Sequence, residues 1–190
     1  MMIEPSENPE LWAFLESLRP GDVLSGAVAA IKSFGVLVAL DEGPDHPTLP
    51  GVGLIAMPDL SWRRFKAASD VVRVGERVSC VFLQFDTWNA EARLSLRLTQ
   101  PDPFQVFVEG VEVGSWLTGH VIELLAFGVI VRVADGVEGL VHQRELADAS
   151  IQIPADTVGV GGTITVVVTG LDRERRTLSL SQRGVAHDLR

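Results

Sequence analysis

The chain contains the same pattern twice. Gly21, Gly26 and Phe34-Gly35-Val36 recur as Gly114, Gly119 and Phe127-Gly128-Val129, each 93 positions on. Further along, the spacing drops to 86. Gly53-Leu54-Ile55 recurs as Gly139-Leu140-Val141, Gly75 as Gly161, and Asp86 as Asp172. A repeat of this length is one structural unit used twice, so any fold that suits one half must suit the other. The drop in spacing is a seven-residue insertion in the first copy, within Asp41 to Val52. Pro44, Pro47 and Pro50 mark that insertion as an exposed loop.

Each copy holds five short runs rich in Val, Ile, Leu and Thr, ended by Gly or a charged cluster, which is the signature of strands joined by turns. In the first copy the runs cover Val23–Ile31, Phe34–Leu40, Gly53–Met57, Arg77–Phe85 and Arg93–Leu98. In the second they cover Trp116–Leu124, Phe127–Val133, Glu138–Val141, Thr163–Leu171 and Thr177–Ser181. Five short strands close into a small barrel, which removes the exposed edges an open sheet would carry. The last loop of the first copy, Thr87 to Glu91, reads as longer than its counterpart. Before each copy a Pro precedes apolar residues three to four apart, the pattern of a short amphipathic helix. Leu11 and Phe14 align with Phe104 and Phe107, and they are expected to pack on a barrel end. The expected fold is all-β: two five-stranded barrels in tandem, each preceded by a short helix. Residues 1–17 form an acidic segment and helix, 18–100 the first barrel, 101–110 a helical linker, 111–183 the second barrel, and 184–190 a tail.

The order of these pieces resembles the S-one RNA-binding domain, an OB-fold repeat first met in a ribosomal protein. The pieces are a Gly before the first strand, Phe-Gly opening the second, Gly139-Leu140-Val141-His142 in the third, and Asp172 with Arg residues before a closing Leu180-Ser181. The resemblance implies binding of single-stranded RNA on the face of strands two and three. Aromatic rings would stack on bases there, and basic groups would meet phosphates. In the second copy it assigns Phe127, His142 and Asp172 to that face. The family's Arg falls at Thr177, so Arg175 or Arg176 is expected to substitute. Arg175 is preferred, because a one-residue offset on a strand faces the other way. In the first copy the resemblance assigns Phe34, Asp86 and Arg93, joined by Trp88 from the last loop. Ile130 and Leu37 stand where the family has a second aromatic, and Ala56 stands where it has His. The Gly after Phe34 and after Phe127 suggests a kink that turns each ring outward.

Trp62-Arg63-Arg64-Phe65-Lys66 interleaves aromatic and basic residues. Such a segment suits a strand-binding groove. Trp62 and Phe65 can equally plug a barrel end while the cations are solvated. Trp and Arg also anchor protein interfaces, so Trp62, Arg63, Arg64 and Lys66 are candidate contacts to a protein partner.

The formal net charge of −9 argues against gripping nucleic acid by bulk electrostatics. Four acids and no base lie in residues 1–17, and nine of each balance within 18–100. Residues 101–110 add −2 and 111–183 carry −3, so much of the excess lies outside the two barrels. An acidic module that docks a basic partner, such as the ribosome or a nucleic-acid-acting enzyme whose substrate it mimics, is the rival reading. No phosphate loop or paired-His motif points to an enzyme, and no cofactor is implied. His46, His120, His142 and His187 are scattered, and the single Cys80 sits in an apolar run, where it reads as an inert core thiol. The lack of a secretory or membrane-spanning pattern implies a cytoplasmic protein without a membrane partner.

Overall fold

The structure, a computed structural model, describes residues 4–146 and 159–183. The expected tail at 184–190 lies outside the described residues. The chain divides into two compact units, Met1–Asp102 and Pro103–Arg190.

The first unit runs α1 (Pro9–Ser17), β1 (Val23–Lys32), β2 (Gly35–Leu40), β3 (Gly53–Ala56), β4 (Arg77–Asp86) and β5 (Glu91–Ser95). The second runs α2 (Pro103–Val108), β6 (Trp116–Leu125), β7 (Gly128–Ala134), β8 (Val137–His142), β9 (Thr163–Asp172) and β10 (Thr177–Ser181). Each set of strands closes into a barrel, in the order β1-β2-β3-β5-β4 and β6-β7-β8-β10-β9. Adjacent strands are antiparallel except where β3 meets β5 and β8 meets β10, and those two parallel pairs complete the closures.

Period-two alternation fills the barrels. Val78, Cys80 and Phe82 point inward from β4, as Ile164, Val166 and Val168 do from β9. Leu11 and Leu15 of α1 join the first core, and Phe104 and Val108 of α2 join the second. Burying one such side chain stabilises by about 1.5–3 kcal/mol, a large share of what so small a barrel has. Phe14 and Phe107 are half-buried against the same cores. Burial pushes the Cys80 thiol up to about 12, so it stays protonated and unreactive.

Three sequence expectations need correction. The strand expected at Arg93–Leu98 begins at Glu91, which pairs with Asp86, and ends at Ser95, which pairs with Val81. Leu96 then turns helical (φ −77°, ψ −39°), and Arg97–Thr99 form a 3-10 turn. The last loop of the first barrel is not longer than its counterpart. Residues 87–90 and 173–176 span the two hairpins, and both pass through a left-handed residue at the same step, Ala90 (φ 52°) and Arg176 (φ 53°). The 86-residue spacing therefore holds through the last strand. Leu54 pairs with Arg93 and Leu140 with Ser179, so the counterpart of Arg93 is Ser179 and not Thr177. Counting back from a Leu-Ser motif lands two residues early because the second copy holds that motif twice in succession, Leu178-Ser179 and Leu180-Ser181.

Gly35 and Gly128 owe their place to close approach. Gly128 sits opposite His142, and a Cβ there would lie 2.3 Å from the Val141 carbonyl oxygen; at Gly35 it would lie 2.3 Å from that of Ile55. Backbone atoms cannot yield as a flexible side chain can, so an added methyl forces the two strands apart. Gly128→Ala is expected to destabilise the second unit by about 1–3 kcal/mol, read as a lowered midpoint in thermal or urea unfolding.

Candidate nucleic-acid interface

The outer face of the second barrel is assembled by register. Gly128 faces His142, Ile130 faces Leu140, and Leu140 faces Ser179. Their neighbours Val129, Val131, Val141 and Leu180 are buried inside, so alternation turns Ile130, Leu140, His142 and Ser179 outward. Ile130, Leu140 and His142 are half-buried, and Ser179 is exposed. Phe127 stands at the end of this face. Its carbonyl accepts from the Gln143 N–H at 2.8 Å, which fixes the backbone, while its side chain keeps the residue 50 % exposed. The His142 Nδ1 accepts from the Arg144 N–H at 3.3 Å, capping the 3-10 turn Gln143–Glu145. A ring that accepts at Nδ1 carries its proton on Nε2 when neutral.

The hairpin beside this face sorts its arginines. Asp172 Oδ1 accepts from the Arg175 N–H at 2.8 Å, so Asp172 shapes the turn. Arg173 donates to the Val108 carbonyl at 3.0 Å and Gln105 donates to the Arg173 carbonyl at 2.8 Å, fastening α2. The Arg176 guanidinium lies 5.5 Å from the Phe104 ring centroid. Arg175 extends into solvent, 3.8 Å from Asp172 Oδ2 with its side chain 85 % exposed. An ion pair that exposed contributes about 0–1 kcal/mol, which leaves Arg175 able to turn to a phosphate. This division between structural and reaching arginines is invisible in the run Arg173-Glu174-Arg175-Arg176.

The first barrel uses the same positions differently. Phe34 is 55 % exposed, and Leu37, Leu54 and Arg93 form the row that matches Ile130, Leu140 and Ser179. Arg93 lies 3.1 Å from Asp86 and 3.0 Å from Glu91. Glu91 is buried, and its part was not seen in the sequence. Asp86 also accepts from the Trp88 N–H at 2.8 Å and the Asn89 N–H at 3.0 Å. The Asn89 N–H, with the Arg93 side chain and the Trp88 N–H, holds the Asp86 carboxyl below its ordinary value. Trp88 itself is 62 % exposed. A cavity of about 420 Å³ lies between Phe34, Leu49, Leu54, Asn89, Glu91 and Arg93.

Trp62 does not share that cavity. Its indole N–H donates to the Gln100 carbonyl at 3.2 Å, and the Arg97 guanidinium lies 4.5 Å from its ring centroid. Phe65 is half-buried against the core, while Arg63, Arg64 and Lys66 are exposed. Among the described residues no group of three His, Cys, Asp or Glu could hold a metal ion, and no helix is long and apolar enough to cross a membrane.

The model of the S1 RNA binding domain matches residues 17–97 and again 111–183. The chain belongs to the S1 RNA-binding domain family. It is 36 % identical over 186 residues to small ribosomal subunit protein bS1 of Mycobacterium tuberculosis, covering 98 % of this chain and 37 % of that protein. It is 34 % identical over 180 residues to bS1 of Staphylococcus saprophyticus, covering 94 % of this chain and 44 % of that one. The chain thus spans less than half the length of these relatives. Among solved structures, GSP13 from Bacillus subtilis is 32 % identical over 42 % of this chain and 62 % of its own, with a TM-score of 0.39.

The lowered Asp86 pKa gives the first S1 barrel an acid-sensitive hairpin. A carboxylate held below its unfolded value of 3.8 adds stability above that value and loses it as pH falls through the folded one. Asp86→Asn keeps an oxygen for the two N–H donors but drops the charge facing Arg93. In thermal unfolding, the deficit of Asp86→Asn against the parent is expected to be full near neutral pH and to shrink as pH falls below about 4.

Proposed function

We propose that this chain binds single-stranded RNA mainly through the second S1 barrel, at the face carrying Phe127, Ile130, Leu140 and His142. One observation carries the reading. Phe127, 50 % exposed, presents a large aromatic surface to solvent at the head of an apolar, open strand face. Every base has a π-face, so such a ring binds single strands with little regard to sequence. His142 supplies a polar edge beside it, and the Ser179 and Thr177 hydroxyls lie on the neighbouring strand. Arg175 serves as the phosphate contact, and Asp172 sets the turn that presents it.

The bS1 relatives are ribosomal proteins by name, and translation is the setting we infer for this chain, with messenger or ribosomal RNA as the ligand. In that setting it works in the cytoplasm beside the ribosome. The net charge of −9 fits a binder that depends on stacking and leaves neutralisation of the backbone to a few arginines.

Stacking on one aromatic is worth about 1–3 kcal/mol. Phe127→Ala, which removes an exposed side chain, is expected to weaken binding of a fluorescently labelled single-stranded RNA roughly tenfold with its melting temperature unchanged. Unchanged affinity in a normally folded variant contradicts this face.

A further inference from the structure

The β2–β3 loop at 41–52 holds the seven-residue insertion, where the second barrel joins β7 to β8 through residues 135–136 alone. It alters the face it adjoins. In the row Leu37-Leu54-Arg93, Leu37 is 0 % exposed and Leu54 4 %. Ile130 and Leu140, at the same positions in the second barrel, are only half-buried. In the first barrel Leu49 of the insertion lines the same cavity as Leu54 and Phe34.

The loop is fastened at its start and at its middle. His46, 7 % exposed, accepts at Nδ1 from the Leu49 N–H at 3.0 Å and the Thr48 N–H at 3.2 Å. Its Nε2 therefore carries the proton, and it donates to the Asn89 carbonyl at 2.8 Å. At the loop's start, Arg77 forks onto the Asp41 carboxylate. A strand running across this face in the manner of the second barrel would meet the loop. What remains open is the cavity of about 420 Å³.

Its walls select a ligand. Phe34 offers a flat apolar surface at the rim, and Leu49 and Leu54 offer apolar sides. The polar side holds the Glu91 carboxylate, an acceptor only when ionised, with Arg93 and the Asn89 amide as donors, which reach its Oε1 at 3.0 and 3.4 Å. Arg93 already faces two carboxylates, so this corner carries net negative charge and does not attract phosphate. Pulling Arg93 away would also leave Glu91 buried and unpaired, which is costly. The fitting ligand is flat, neutral and aromatic, with donors and an acceptor along one edge. Among the four RNA bases, guanine alone presents two adjacent N–H donors beside a carbonyl oxygen.

We propose that the first barrel takes a single unstacked guanine base, laid on Phe34 with its edge toward Glu91 and Arg93. This rests on the reading of the chain as an RNA binder, but it uses different residues and can fail alone. The test is a titration of the full chain, methyl-labelled at Leu, with guanosine, adenosine, cytidine and uridine 5′-monophosphates and with ribose 5-phosphate. Guanosine monophosphate is expected to shift the Leu49 and Leu54 methyl signals saturably, roughly tenfold tighter than the other nucleotides, the scale of one bidentate edge contact. Ribose 5-phosphate is expected to leave them unmoved. Phe34→Ala, which truncates an exposed ring, should abolish the shifts. Glu91→Gln, with one acceptor where the carboxylate has two, should level the four affinities. Equal shifts from all four nucleotides, or the same shifts from ribose 5-phosphate, overturn the proposal. So does a chain that binds RNA through Phe127 but shows no change at Leu49 and Leu54, and that result leaves the second-barrel reading standing.

Discussion

Everything in each unit depends on the parallel pairing that closes the barrel, β3 with β5 and β8 with β10. Only two or three residue pairs make each contact, yet they convert an open sheet into one with an inside and an outside. Once closed, alternation along each strand decides which side chains form the core and which form the outer row. A slip of one residue at β10 would turn Leu178 and Leu180 out and Ser179 in. Glycines make the closure feasible. A Cβ on Gly53 or Gly139 would come within 2.6 Å of Leu94 or Leu180, the residues that fill the barrel beside the closing pair.

On this common frame the two outer faces have diverged by a few residues. In the first barrel a guanidinium is held between two carboxylates, and a tied loop covers the apolar row. In the second the row is open, the matching position is Ser179, and the reaching cation is Arg175 on the hairpin. Energetics favour this reading of the cations. Arg175 would give up only a loose surface pair worth about 0–1 kcal/mol on meeting a phosphate. Arg93 would abandon a buried carboxylate, at a cost of about 3–5 kcal/mol. A positive charge near an aromatic is therefore a poor guide to phosphate binding until its partners are known.

The strands, their order and the outward rings of Phe34 and Phe127 were legible because they follow from period-two alternation and from a pattern the chain states twice. The last-strand register was not, because Leu94-Ser95-Leu96 and Leu178-Ser179-Leu180-Ser181 allow two alignments and only hydrogen bonding chooses between them. Glu91 went unseen because nothing local marks an acid as buried. Its partner Arg93 is near in sequence, but the burial comes from the fold around it. The ties from Arg173 and Arg176 to α2 join residues some 65–72 positions apart, beyond any local pattern. The insertion was visible as a loop, but its attachment through His46 to Asn89 depends on a tertiary contact 43 positions away.

The central claim is that one barrel frame carries an open strand face in its second copy and a loop-covered face in its first. Photo-crosslinking of the full chain to single-stranded RNA carrying 4-thiouridine at successive positions, read by peptide mass spectrometry, tests it most directly. The account predicts crosslinks at most RNA positions within residues 127–142, with those in the first barrel few and confined to the neighbourhood of Phe34. Crosslinks spread evenly along β2 and β3, or none within 127–142, would contradict it.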